Sequence, residues 1–241
     1  MRNILLLMCL YAFGELTSSS SVSFISKCSV DDNKCVKKST QAAIPIYANG
    51  IPELGIESLE PLLIDRVDAS TPNLNLVASD LVIDGLRNCI AKKVQIDRKG
   101  SSTKMALKLQ CTVELNGHYD MKGQILILPI EGKGKVHASI RKIVIAISGE
   151  MEDKVGKDGD KFWDIKNWKH TFELKDRCDL NFENLFNGNE VLGQAAREVI
   201  NSSANEVILE IGPPIITAIV TKIVNSVQAL FYNVPIKDLI I

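Results

Sequence analysis

The sequence predicts an α+β fold in which a long C-terminal helix is wrapped by a strongly curved antiparallel sheet. Three observations lead to it: unusually long stretches of period-two alternation in the middle of the chain, slips of phase within them, and a helical apolar repeat from Asn189 onward. The composition agrees. Of 241 residues 46% are apolar, 24% charged and 5% aromatic, with a formal net charge of −1. Disorder and collagen-like or low-complexity chains are excluded by those values. A near-neutral balance also lacks the basic excess of a nucleic-acid-binding surface.

Met1-Arg2-Asn3, the apolar run Ile4 to Phe13 and the small or polar stretch Gly14 to Ser21 read as a secretory signal peptide, residues 1–19, with cleavage between 13 and 21. The run is about half the length a bilayer needs. A second apolar stretch, Ile211 to Ile236, is interrupted by Gly212, Pro213, Pro214 and Lys222 and reads as a buried helix, not a membrane anchor. Residues 20–241 are therefore expected to form one exported domain, secreted, without an integral membrane segment and monomeric.

Export places Cys28, Cys35, Cys89, Cys111 and Cys178 in an oxidising compartment. Cys28 and Cys35 flank a turn, rich in Asp and Asn, that leads into a helix, and a disulfide is predicted there. No Cys or His cluster lies near enough for a metal alternative. Cys89 and Cys111 stand symmetrically about a turn at Gly100, but their faces disagree. Met105, Leu107, Leu109, Cys111 and Val113 share a face with Val94 and Ile96, which sets Ile90 opposite Cys111; only a bulge would bring Cys89 there. The pair is expected to stay open, and an odd count leaves at least one buried, inert thiol.

The predicted strands are Thr103 to Tyr119, Lys122 to Glu131, Lys135 to Glu150, Lys161 to Glu173 and Lys175 to Glu183. Turns are expected at Asn116-Gly117, at Glu131-Gly132-Lys133-Gly134, across Gly156 to Asp160 and at Lys175-Asp176. In Val136 to Ile147 the apolar positions are even as far as Ile140 and odd from Ile143, so a bulge is predicted at Arg141-Lys142, and another between Ile165 and Trp168. Bulges bend and twist a strand, hence the predicted curvature. From Leu192 to Leu230 apolar residues recur every three to five positions. A continuous helix of that length would measure about 60 Å, against a radius of gyration of about 17 Å for a compact domain of this size. Gly212-Pro213-Pro214 should kink it. Ile215 to Val224 is apolar nearly all round and must be enclosed, so sheet and helix are expected to share an axis.

Residues spread over the whole chain then resemble the insect takeout and juvenile hormone-binding protein family. They are Cys28-x6-Cys35 followed by a helix and Gly50-Ile51-Pro52-Glu53-Leu54-Gly55-Ile56, Gly117-His118-Tyr119 with Gly123, Leu128-Pro129-Ile130-Glu131-Gly132-Lys133-Gly134, Asn184 to Asn189 with Leu192-Gly193, and Val234-Pro235. The resemblance implies a fold like the lipid-binding modules of bactericidal permeability-increasing protein, with an elongated apolar tunnel. Two features of hormone carriers in that family are not matched: a second disulfide joining sheet to long helix, because no cysteine follows Asn189, and an assignable tyrosine for the hormone's epoxide among Tyr47, Tyr119 and Tyr232.

Catalytic motifs are missing from the sequence: no Gly-x-Ser-x-Gly, no His-Glu-x-x-His and no glycine-rich phosphate loop. His118, His137 and His170 are isolated. Asp158-Gly159-Asp160 lacks the further acidic ligands of a calcium loop and reads as a hairpin turn. Neither cofactor nor metal is expected, and the chain reads as a non-enzyme. Asn201-Ser202-Ser203 is a glycosylation sequon, though on a helix. The expected role is carriage of a small apolar ligand of the juvenile hormone, terpenoid or fatty class. Its tunnel wall is expected to include Ile44, Tyr47, Leu107, Leu109, Ile127, Ile145, Ile147, Val227, Leu230 and Phe231. The alternative is an extracellular signalling or interaction protein that keeps the fold and binds a partner through its surface.

Overall fold

The computed structural model describes residues 22–241; the expected signal peptide lies outside them. Helix α1 spans Asn33–Ala48. It starts where Asp32 supplies an N-cap, its carboxylate accepting from Lys34 N at 3.1 Å and Cys35 N at 3.0 Å. The predicted Cys28–Cys35 disulfide fastens this first turn to the incoming chain.

Seven antiparallel strands follow: β1 (Leu62–Asp68), β2 (Leu74–Asp84), β3 (Ile90–Lys99), β4 (Ser102–Ile125), β5 (Leu128–Val155), β6 (Lys161–Leu174) and β7 (Cys178–Phe182). β4 and β5, of 24 and 28 residues, form one hairpin that is the spine of the sheet. Each changes partner along its length. The first part of β4 pairs with β3 and the second with β2, while β5 pairs first with β7 and then with β6. The change falls at the predicted bulge: Cys111 faces Ile143 and Val113 faces Ile140, leaving Arg141 and Lys142 opposite Thr112. The second predicted slip is also present, with Ser148 facing Lys169 and Glu150 facing Lys166. Asn167 takes a positive φ of 47° there.

Two expected turns are corrected. Asn116-Gly117 and Glu131 to Gly134 lie inside β4 and β5, and the chain reverses at Leu126-Ile127 instead. The glycines serve close approach, not reversal. A Cβ on Gly117 would meet the Leu81 side chain at 2.6 Å, and one on Gly134 would meet the Glu183 carbonyl oxygen at 2.5 Å. β1 and β2 were not anticipated; the alternation of β2 breaks at Asp80, which has a φ of 52° beside a register shift between Ser79 and Val82.

Cys89 and Cys111 form a disulfide, against expectation. Ala91 pairs with Leu109 but Lys93 with Lys108, so Lys92 is an extra residue that moves Cys89 into register with Cys111. Among the described residues Cys178 is the free cysteine, fully buried, and burial pushes its thiol pKa up, so it stays protonated.

The C-terminal helix is three segments, α2 (Glu190–Ser202), α3 (Ala204–Ile211) and α4 (Pro213–Asn233), followed by a short α5 (Ile236–Leu239). The second break is the predicted one. Gly212 caps α3, and Pro213 and Pro214 open α4, where a missing N–H costs nothing. The first, at Ser203, was not read from the sequence. α4 is long and apolar enough to cross a membrane by length and composition. Here Ile216, Ile219, Val220, Val224, Leu230 and Phe231 are buried against the rest of the fold. α2, α3 and the start of α4 pack with β1, β2 and β7 in one large core, whereas Trp163, Leu230, Phe231, Val234 and Leu239 anchor a second at the other end. Asn201 lies in the last turn of α2, its carbonyl accepting from Arg177 Nη2 at 3.4 Å.

Candidate functional site

Between those two cores lies a cavity of about 260 Å³. Its wall is drawn from the inner face of α1, the inward residues of β3, β4, β5 and β6, one side of α4, and the two ends of the described chain. Each element presents that face for a local reason. On α1, Val36, Ser39, Thr40, Ala43, Ile44 and Tyr47 recur at helical spacing. On β4, Met105, Leu107, Leu109 and Cys111 alternate inward, matched by Ile145 and Ile147 on β5. α4 contributes Val220, Ile223, Val227, Leu230 and Phe231.

Two glutamines tie the helices of the wall to its strands. Gln41 on α1 accepts from Ala91 N at 2.7 Å and donates to the Cys89 carbonyl at 3.2 Å, satisfying backbone groups of β3 beside its bulge. Gln228 on α4 accepts from Ile165 N at 2.6 Å and donates to the Trp163 carbonyl at 3.1 Å. Trp163 packs edge-on to Phe231 with ring centroids 5.3 Å apart and closes that end.

Nine of the ten residues expected in the wall are there: Ile44, Tyr47, Leu107, Leu109, Ile145, Ile147, Val227, Leu230 and Phe231. Ile127 is not. It occupies the tip of the β4–β5 hairpin, 87% exposed, because the reversal comes at Leu126-Ile127. No wall residue comes from β1, β2, β7, α2 or α3, so the space is confined to the α1–β3 end instead of running the length of the sheet. Wall residues missed from the sequence include Trp163, the Cys89–Cys111 disulfide and the terminal Ile25, Leu239 and Ile240. Met105 was legible as a member of the same alternating face. The termini were not, because only the fold brings Ile240 beside Cys28.

The wall is almost wholly apolar and carries no Asp, Glu, Lys, Arg or His. Its polar groups are the hydroxyls of Ser26, Ser39, Thr40 and Tyr47 and the indole N–H of Trp163, whose Nε1 is buried without a partner. Ser39 Oγ accepts from Ser26 N at 2.9 Å. Tyr47 Oη and Ser226 Oγ are buried without a hydrogen bond of good geometry. Burial pushes the Tyr47 phenol up to about 12, and the neighbouring Ser226 hydroxyl pulls it weakly the other way. Tyr119, by contrast, is a structural residue: its Oη donates to the Glu183 carbonyl at 2.6 Å and its ring packs on Phe182. Tyr232 donates to Asp164 outside the wall.

Little elsewhere suggests chemistry. His118 faces Asp80 and His137 faces Glu114, each at 3.4 Å in solvated settings. Among the described residues no group of three His, Cys, Asp or Glu side chains is placed to hold a metal ion. The Asp158-Gly159-Asp160 segment is the turn between β5 and β6, and Lys237 Nζ occupies both Asp160 oxygens at 2.6 and 2.8 Å.

Four similarities to known proteins bear on this geometry. The family described as haemolymph juvenile hormone binding protein (JHBP) matches residues 4–241. Circadian clock-controlled protein daywake of Drosophila melanogaster is 25% identical over 227 residues, covering 89% of this chain and 86% of that protein. The juvenile hormone-binding protein of Manduca sexta is 26% identical over 125 residues, 51% of each chain. The crystal structure of Epiphyas postvittana Takeout 1 superposes with a TM-score of 0.85 at 27% identity, covering 90% of this chain and 99% of that one.

Proposed function

Because the chain belongs to the haemolymph juvenile hormone-binding protein family, we propose that it is a secreted carrier which holds one small apolar molecule, a juvenile hormone, related terpenoid or fatty compound, in the cavity beneath α1. The observation that carries this reading is the cavity itself. A space lined almost wholly by apolar side chains from four strands and two helices has no role in stability, since filling it with protein atoms would stabilise the fold. Burying roughly 400 Å² of an elongated apolar ligand contributes about 10 kcal/mol at 25 cal/mol/Å². After immobilisation costs this still reaches submicromolar affinity without a charged contact. Two disulfides, Cys28–Cys35 and Cys89–Cys111, suit an oxidising extracellular fluid and the export signal read at residues 1–19.

Native mass spectrometry of the purified protein, with solvent extraction, tests the proposal. Co-purified lipid, or saturable binding of added apolar compounds, is expected, and Val227→Trp should abolish both by filling the space. An empty wild-type protein that takes up none of them would turn attention to the surface-partner alternative. That alternative has one observation of its own: Val191, Leu192 and Val199 on α2 are 79%, 50% and 43% exposed.

A further inference from the structure

The carrier reading leaves the chemical class of the ligand open, and the wall narrows it. We infer that the cavity selects electrically neutral molecules, an apolar body bearing an ester, alcohol, ketone or ether oxygen, and accepts a carboxylic acid only in its protonated form. The inference rests on the carrier reading, because it concerns the occupant of the same space.

The wall offers no cation. A carboxylate brought into it would be buried without a counter-charge, and burial of an unpaired ion is among the largest penalties in a protein interior. Neutral oxygen is different, because one hydroxyl suffices to satisfy it. All such hydroxyls in the wall lie on or beside α1: Ser39, Thr40 and Tyr47 on the helix itself, and Ser26 bonded to Ser39. The opposite faces, on β4, β5 and α4, are apolar, and β6 adds one neutral donor, the unpartnered Trp163 Nε1. A bound molecule therefore meets only neutral hydrogen-bonding groups, the hydroxyls under α1 and the Trp163 N–H, and hydrocarbon elsewhere. Tyr47 stays neutral at any physiological pH, being held up to about 12.

The rival is Arg98. It lies two residues beyond the wall residue Ile96 on the same face of β3, and its Nη1 is buried without a partner. Its charge is already spoken for. Asp153, with a side chain only 5% exposed, accepts from Arg98 Nη2 at 2.6 Å, and Lys161 approaches the same carboxylate at 3.5 Å. A ligand carboxylate recruited to Arg98 would have to leave the apolar wall and share with Asp153 a guanidinium that Asp153 already engages at 2.6 Å.

The test is displacement of a neutral fluorescent probe, N-phenyl-1-naphthylamine, by methyl laurate, 1-dodecanol and lauric acid between pH 5.5 and 8.5. The ester and the alcohol should bind with a flat pH profile. Lauric acid should weaken about tenfold per pH unit, and at pH 7.4, with a carboxyl pKa of about 4.5, should bind about two to three orders of magnitude more weakly than the ester. Ile223→Lys, which places a cation in the wall, should raise acid affinity relative to ester by about tenfold or more at pH 7.4, with thermal unfolding confirming that the variant is folded. Equal affinity for acid and ester with a flat acid profile overturns the inference and leaves the carrier reading standing; loss of that acid binding in Arg98→Gln would assign the carboxylate to Arg98. If none of the three compounds displaces the probe, the carrier reading falls and takes this inference with it.

Discussion

Two tyrosines with similar titration do different work. Tyr47 and Tyr119 are both held up to about 12, Tyr47 by burial against Ser226's weaker opposing effect, Tyr119 by burial reinforced by the charge of Glu183. A phenol raised above its unfolded value of about 10 holds its proton more tightly in the folded state, so its contribution is intact below pH 10 and is lost as pH climbs towards 12. The unfolding free energy measured in urea should therefore fall between pH 10 and 12, by on the order of 2 kcal/mol for each phenol. Tyr47→Phe should make that fall shallower, and an unchanged alkaline profile would show that Tyr47 is not buried as described. At this scale the sequence was most legible where a residue sat on a periodic face, as with Leu107, Leu109, Ile145, Ile147 and Val227. Ile127 shows the limit: its apolarity is that of a core residue, yet a two-residue reversal leaves it 87% exposed.

Among the elements, β3 and its bulge decide the shape of the cavity's inner end. The disulfide they permit closes a separation of 22 residues, which by loop entropy contributes about 3 kcal/mol. Replacing both cysteines, Cys89→Ser with Cys111→Ser, should lower stability to denaturant by about that amount. The same variant should also bind ligand more weakly, since both half-cystines belong to the wall. A stability loss without an affinity loss would place the ligand elsewhere in the cavity. The pairing was illegible because Ile90 and Ala91 are both apolar, so the phase of β3 cannot be read at the place where Lys92 is inserted. The bulge at Arg141-Lys142 was legible because strongly alternating residues flank it on both sides. The glycine-rich stretch of β5 misled for a related reason: Gly132 and Gly134 carry the composition of a turn, but they clear space for Tyr119 and for the Glu183 backbone that follows β7.

For the whole molecule, the mismatch between helix length and globule size predicted a sheet wrapped round a helix, and the partner exchange along β4 and β5 shows how one hairpin achieves it. Its half with β1, β2 and β7 is filled by side chains such as Leu62, Leu74, Leu81, Ile83, Met121 and Ile125, each nearly or wholly inaccessible. The half with β3 and β6 is left open around the cavity. That division could not be read beforehand, because an aliphatic residue facing a cavity and one facing a core have the same pattern. It has a thermodynamic consequence. A ligand that binds only the folded chain stabilises it by mass action, about 2.7 kcal/mol at a hundredfold excess over Kd. For a domain of 150–250 residues each kcal/mol raises Tm by about 2–4 °C, so saturating methyl laurate should raise Tm by roughly 5–10 °C. Val227→Trp should melt at the same temperature with and without the ester, because its indole occupies the space. Ile127→Ser, altered at the exposed hairpin tip, should keep the full ligand-induced shift, and its loss there would mean that the binding surface extends along the sheet to the far end of β4 and β5.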